Sequence, residues 1–179
     1  RALVRGLVLL PLVLPPVVGG VALLAAFSRR GIVGEYLFDW FGLQLTFTTA
    51  GAILAETFVA LPFFVITVEA GLRSMDRRLE DAATTLGAGP FTVFRRVTFP
   101  LIAPPVIAGA VLSWARALGE FGATITFAGN IAGRTRTLPL AVYLQLESRP
   151  DVAVALSLVL LVVSLGVIVA LRERWLGAS

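Results

Sequence analysis

Cysteine, histidine and lysine are all missing from this 179-residue chain. Without cysteine or histidine it has no disulfide, no thiol nucleophile, no imidazole catalysis and no zinc site of the usual ligands. Without lysine it lacks the Gly-Lys-Ser/Thr phosphate cradle, so it is not itself a P-loop ATPase. Charge is scarce as well: 15% of residues carry one, against about a quarter in soluble domains. Apolar residues make up 58% of the chain, and mean hydropathy is +0.91. The charges gather in clumps between long neutral runs, which suits a lipid solvent. The net charge of +4 rests on arginine alone. Those arginines flank apolar runs, where basic residues set membrane orientation, so the expected surroundings are membrane lipid and not nucleic acid. The chain opens on Arg1 with no signal-peptide pattern. It is expected to be N-terminally incomplete, with further spans upstream.

About 20 apolar residues cross a bilayer core. Four runs qualify, at about 7–27, 46–68, 101–127 and 152–171, within one transmembrane domain covering residues 1–179. Pro11, Pro15, Pro16, Gly19 and Gly20 in the first run predict kinks or half-helices, tolerable inside a packed bundle. Tyr36, Phe38, Trp40 and Phe41, in the mixed stretch 29–45, suit the membrane interface. If Arg1, Arg5, the polar stretch 69–100 and the C-terminus share one side, that side holds nine arginines. The other holds five, Arg29, Arg30, Arg134, Arg136 and Arg149, which predicts a cytoplasmic 69–100 loop. Residues 11–20, PLVLPPVVGG, echo residues 100–109, PLIAPPVIAG. An internal repeat and a chance agreement of two proline-led helix starts both remain open.

Residues 74–100, SMDRRLEDAATTLGAGPFTVFRRVTFP, predict a helix–turn–helix. Ser74 is a candidate cap, and Met75, Leu79, Ala82, Ala83 and Leu86 recur at helical spacing. Gly87 stands where a helix end wants positive φ, Gly89 permits a tight turn, and Pro90 suits the first position of a second helix. Phe91, Phe94 and Val97 line that helix until Pro100, expected to stop it. The periodicity alone fits either a surface anchor or a docking element.

Spacing makes this stretch specific. Asp81-Ala82-Ala83, three residues, Gly87, nine residues, then Val97-Thr98-Phe99-Pro100 resembles the EAA loop of bacterial ATP-binding-cassette (ABC) importer permeases. The departures are Asp81 for Glu, Val97 for Ile and Phe99 for Leu, and Glu80 leaves a residue of ambiguity in the acid. Further on, RALGEFGATITF (Arg116–Phe127) and RTRTLPLAVY (Arg134–Tyr143) are similar to the molybdate/sulfate/tungstate branch of that family and favour molybdate. Nearly the whole chain is covered. The resemblance implies an all-α, MetI-like type I importer bundle in the bacterial cytoplasmic (inner) membrane. It implies a homodimer with a second copy of the permease, a cytoplasmic ABC ATPase dimer holding ATP and Mg, and an extracytoplasmic oxyanion-binding protein. No cofactor is expected on this chain. Its coupling loop, about 71–100, would engage the ATPase through Glu80, Asp81, Ala82, Ala83, Gly87 and Pro100.

Arg116 and Glu120, four residues apart, share a helix face inside a span, where charges are costly and face a bundle interior or a cavity. Two readings stand side by side: a translocation path or gate, and an ion pair that locks helices. Thr124, Thr126 and Asn130 are neutral pore-lining candidates, and Phe121 or Phe127 a candidate apolar constriction. Glu56 reads as a packing residue or a functional acid. Arg134 and Arg136 read as a solvated loop or a contact for the binding protein. An ion-coupled secondary transporter would use Glu56 and Glu120 as proton sites but has no need of the Ala-Ala/Gly loop. An intramembrane enzyme would lack the groups for chemistry. An anchor leaves the charged third span unexplained.

Overall fold

The computed structural model describes the backbone of residues 2–176 and the side chains of residues 3–169. Arg1, and the side chains of Arg172 and Arg174, all counted in the orientation argument, lie outside the described residues. Within them every regular element is helical.

Helix α1 (Ala2–Val13) is followed at once by α2 (Pro16–Phe27). The run expected as a single span at 7–27 is thus two helices of 12 residues each. Pro15 and Pro16 bring no N–H donors, so the ladder lapses after Val13 and restarts with Pro16 in the first turn. The short α3 (Gly34–Phe41) ends on Gly42 at φ 65°, and Tyr36 and Trp40 on it are well exposed. Helix α4 (Thr49–Ser74) is opened by Thr48, whose hydroxyl oxygen accepts the Gly51 N–H at 3.1 Å. Ser74 is the last residue of α4, its hydroxyl donating back to the Gly71 carbonyl. It therefore does not open the next helix. That task falls to Asp76, whose carboxylate accepts the Arg78 N–H at the start of α5 (Arg78–Thr85).

Pro100 does not stop the helix it follows. From α6 (Pro90–Val93) the chain widens into one π turn (Phe94–Thr98) and continues as α7 (Phe99–Leu118). The Phe99 N–H reaches the Phe94 carbonyl across that wider turn. The π turn accommodates a proline that an unbroken α-ladder would resist. At the other end, the expected span 101–127 breaks after Leu118. Gly119 ends α7, and α8 (Gly122–Phe127) starts afresh. Helices α9 (Leu138–Ser148) and α10 (Pro150–Leu176) are the last of the described elements. Among the described residues three stretches are long and apolar enough to cross a membrane: Thr49–Ser74, Pro90–Leu118 and Pro150–Val169.

Small residues set the packing. A side chain at Gly71 would strike the Pro105 ring, one at Gly109 would press on Phe64 and Thr67, and the Ser113 hydroxyl donates to the Ala60 carbonyl at 3.0 Å. Since 60, 64 and 71 face 113, 109 and 105 in turn, α4 and α7 run antiparallel in the bundle's most extensive contact. A second seam joins α2 to α8, where a Cβ on Gly20 would lie 2.7 Å from the Thr126 Cβ. Close approach through small residues is how helices associate in lipid. Leu23, Ala55, Val59, Ala123 and Phe127 form the core between these pairs. The PLVLPPVVGG segment breaks its helix at Leu14–Pro15, while PLIAPPVIAG stays helical through Pro104 and Pro105. The two echoes do not share a conformation.

Candidate coupling and translocation sites

The Arg78–Thr85 helix stands away from the core, with none of its residues buried. Gly87, at φ 83°, turns the chain out of it, as its position predicted. Gly89 is extended at φ −69°, so its glycine freedom is not used there, and Pro90 occupies the first turn of α6. Asp81 and Ala82 are exposed, Ala83 is half-buried, and Leu86 is 89% exposed with Phe91 at 74%. The two neighbouring acids part company here. Asp81 faces outward, whereas the Glu80 carboxylate accepts a short hydrogen bond from the Thr98 hydroxyl, itself on a buried residue of the π turn. Glu80 thus ties α5 to the base of α7, a connection that sequence spacing across 18 residues does not reveal. Pro100 lies just beyond this tie, exposed.

At the far end of α7, Arg116 and Glu120 do meet. The Arg116 guanidinium lies 2.8 Å from one Glu120 oxygen, and the other oxygen accepts the Ala123 N–H at 2.9 Å. Glu120 is 1% exposed. Its carboxylate bridges the break between α7 and α8, satisfying a backbone donor that the interrupted ladder leaves free. Thr126 returns its hydroxyl to the Gly122 carbonyl at 2.7 Å. Thr124 is fully buried, and its hydroxyl has no hydrogen-bond partner among the described residues. Phe127, considered above for a constriction, is 0% exposed in the core, so in this conformation it packs helices and meets no open path. Phe121 stays half-exposed, its ring 5.0 Å from that of Tyr143. Asn130 accepts from Arg136 at 2.9 Å in an exposed loop.

Glu56, about two turns into α4, lines two neighbouring cavities. One, about 330 Å³, lies between α4 and α7 against Ser113 and Trp114. The other, about 160 Å³, lies towards Thr137 and Pro139. The four acids singled out by sequence therefore take different places: Asp81 outside, Glu80 in a tether, Glu120 in a buried ion pair, and Glu56 at a cavity wall.

Antiparallel apolar helices sealed by small residues, with a polar helical hairpin projecting from one end, define a polytopic all-α membrane protein. The chain belongs to the family described as binding-protein-dependent transport system inner membrane component, which matches residues 1–178. It is 55% identical to a molybdenum transport system permease protein of Mycobacterium tuberculosis over 95% of this chain and 64% of that protein. It is 47% identical to the permease of the same description from Haemophilus influenzae, over 99% of this chain and 77% of that protein. A sulfate transport system permease protein of Salmonella typhimurium is 41% identical over 82% of this chain and 53% of its own length. The chain thus spans just under two thirds of the mycobacterial relative it matches. The same fold occurs in the crystal structure of a bacterial ABC transporter involved in the import of the acidic polysaccharide alginate. There the TM-score is 0.72 at 20% identity, covering 97% of this chain and 65% of that one. The MetI-like importer bundle implied by the sequence resemblance is the fold observed.

Proposed function

We propose that this chain is the membrane-spanning subunit of an ABC importer that carries molybdate into the cytoplasm. One observation carries the reading: a solvent-exposed two-helix hairpin, presenting Asp81, Ala82 and Leu86, is fastened through Glu80 and Thr98 to a helix that continues into the bundle. A push on α5 is then delivered to α7 without passing through a flexible loop. In this reading the hairpin lies in the cytoplasm and seats on an ABC ATPase, which supplies ATP and Mg. Asp81 and the exposed arginines set the register by charge, and Ala82 and Ala83 allow close approach. Two copies of the permease enclose the path, and an extracytoplasmic binding protein delivers the oxyanion. This chain makes and breaks no bond; its work is coupling between two sites.

The relatives named for molybdenum transport direct the substrate to molybdate. Tungstate, a dianion of the same shape, would use the same machinery. Sulfate is the second reading, favoured by the sulfate permease relative. The Arg116–Glu120 pair would serve as a hinge clasp at the α7–α8 break, near the path but with no charge free for cargo. Phe121, Thr124 and Thr126 would face the path in the conformation that opens α8 from α2. The test is molybdate uptake into proteoliposomes holding the full-length permease. Uptake that requires the ATPase, ATP and the binding protein supports the reading, and uptake driven by an ion gradient alone refutes it.

A further inference from the structure

We propose that the basic mouth formed by Ser28, Arg29, Arg30 and Thr46 is a loose capture site for a tetrahedral oxyanion before it enters the path. This rests on the reading of the chain as an oxyanion permease. Helix α2 ends at Phe27 and α4 begins at Thr49. The mouth therefore lies at the end of the bundle away from Ser74 and the hairpin, about 39 Å distant along α4. The Thr49 hydroxyl donates to the Arg134 carbonyl at 2.9 Å, so the loop carrying Arg134 and Arg136 reaches the same end.

The cavity there measures about 550 Å³ and is lined by those four residues, two guanidiniums and two hydroxyls, with no carboxylate among them. Glu35 and Asp39 on the adjoining α3 are exposed and do not line it. The Arg29 guanidinium carbon lies over the Phe38 ring, 4.0 Å from its centre. That cation–π contact steadies the guanidinium without a hydrogen bond from its N–H groups. Neither Arg29 nor Arg30 has an ion pair among the described residues. Thr46 is 4% exposed, and its hydroxyl oxygen accepts from the Gln44 amide at 3.3 Å, leaving its own O–H to donate. Planar forks and hydroxyl donors are what a four-oxygen dianion accepts from. The space exceeds that of a bare ion several-fold, so the ion is held with water and lets go readily, as a conducting route requires. Positive charge without a counter-ion raises the local anion concentration, over a range of about 8 Å at physiological salt.

A phosphate on a lipid headgroup presents the same chemistry, and the experiment separates the two sources. Crystals of the full-length permease–ATPase complex, without binding protein, are soaked in sodium molybdate and measured at the molybdenum absorption edge. The expected result is an anomalous peak within hydrogen-bond reach of Arg29 and Arg30. It is lost in the Arg29→Gln/Arg30→Gln double variant and kept in an Arg136→Gln/Arg149→Gln double variant, which removes the same net charge outside the mouth. In proteoliposomes, the double variant is expected to raise the molybdate concentration for half-maximal uptake about tenfold at low salt, a gap that closes at high salt. No molybdenum peak in the wild type, or a headgroup phosphate in its place, overturns the inference. So does a defect seen only in anionic lipid, or one traced to weaker docking of the empty binding protein. Wild-type uptake of molybdate alongside any of these leaves the parent reading standing; absence of all oxyanion uptake removes both.

Discussion

Glu120 has both carboxylate oxygens engaged, one by Arg116 and one by the Ala123 N–H. Removing the carboxylate leaves a half-buried guanidinium and a buried amide without partners, a loss of about 3 kcal/mol for Glu120→Ala. Glu120→Gln keeps an oxygen for Ala123 and gives up only the ionic part, a loss of about 1 kcal/mol. Denaturant unfolding of the reconstituted protein checks the order; equal losses would mean that the Ala123 contact contributes nothing. The pairing was legible from four-residue spacing on a helix face. The second bond was not, because it exists only where the helix breaks at Gly119 and α8 starts afresh. Phe127, a candidate constriction from sequence, lies in this conformation in the core beside Leu23.

Among the elements, the hairpin was the most readable. Gly87 and Pro90 act through local backbone chemistry, positive φ and a fixed φ without a donor, and they fall where expected. Ser74 and Pro100 were misread because longer-range structure overrode the local signal: α4 runs on to Ser74, and the π turn absorbs the proline. Gly87→Val forces a branched side chain into the left-handed region at a cost of about 1–2 kcal/mol and re-aims α5. Binding-protein-stimulated ATP hydrolysis by the assembled transporter is expected to fall at least tenfold; full stimulation would show that the turn is dispensable. Thr98→Val keeps shape but loses the bond to Glu80. It should leave assembly with the ATPase intact while molybdate uptake per ATP hydrolysed drops several-fold, and an unchanged ratio would refute the tether. At the α2–α8 seam, Gly20→Val has no room against Thr126 and Ala123. The expected loss is about 2 kcal/mol, read as lowered thermal stability in detergent.

Over the whole molecule, apolar composition and clumped arginines were enough to indicate a membrane protein, and the family resemblance supplied its all-α bundle. How many separate helices each apolar run forms was hidden, since prolines at 15 and 16 break one helix while those at 104 and 105 sit inside another. Along α10, Val154, Leu158, Leu161, Val162 and Leu165 are each more than half exposed, a surface suited to lipid or a second copy. The charges divide by end. Arg29, Arg30, Arg134 and Arg136 gather opposite the hairpin, and at the hairpin end Glu69 pairs with Arg5 at 3.2 Å and Arg73 at 2.6 Å, joining α1 to α4.

Because this chain has no cysteine, one introduced thiol reports its own surroundings. Leu86→Cys, at the exposed tip of the hairpin, can be probed with a membrane-impermeant maleimide in a full-length permease otherwise free of cysteine. The account predicts labelling in inside-out vesicles stripped of the ATPase, strong protection once the ATPase is added back, and no labelling in intact cells. Labelling from outside the cell, or labelling from within that the ATPase leaves undiminished, would contradict it.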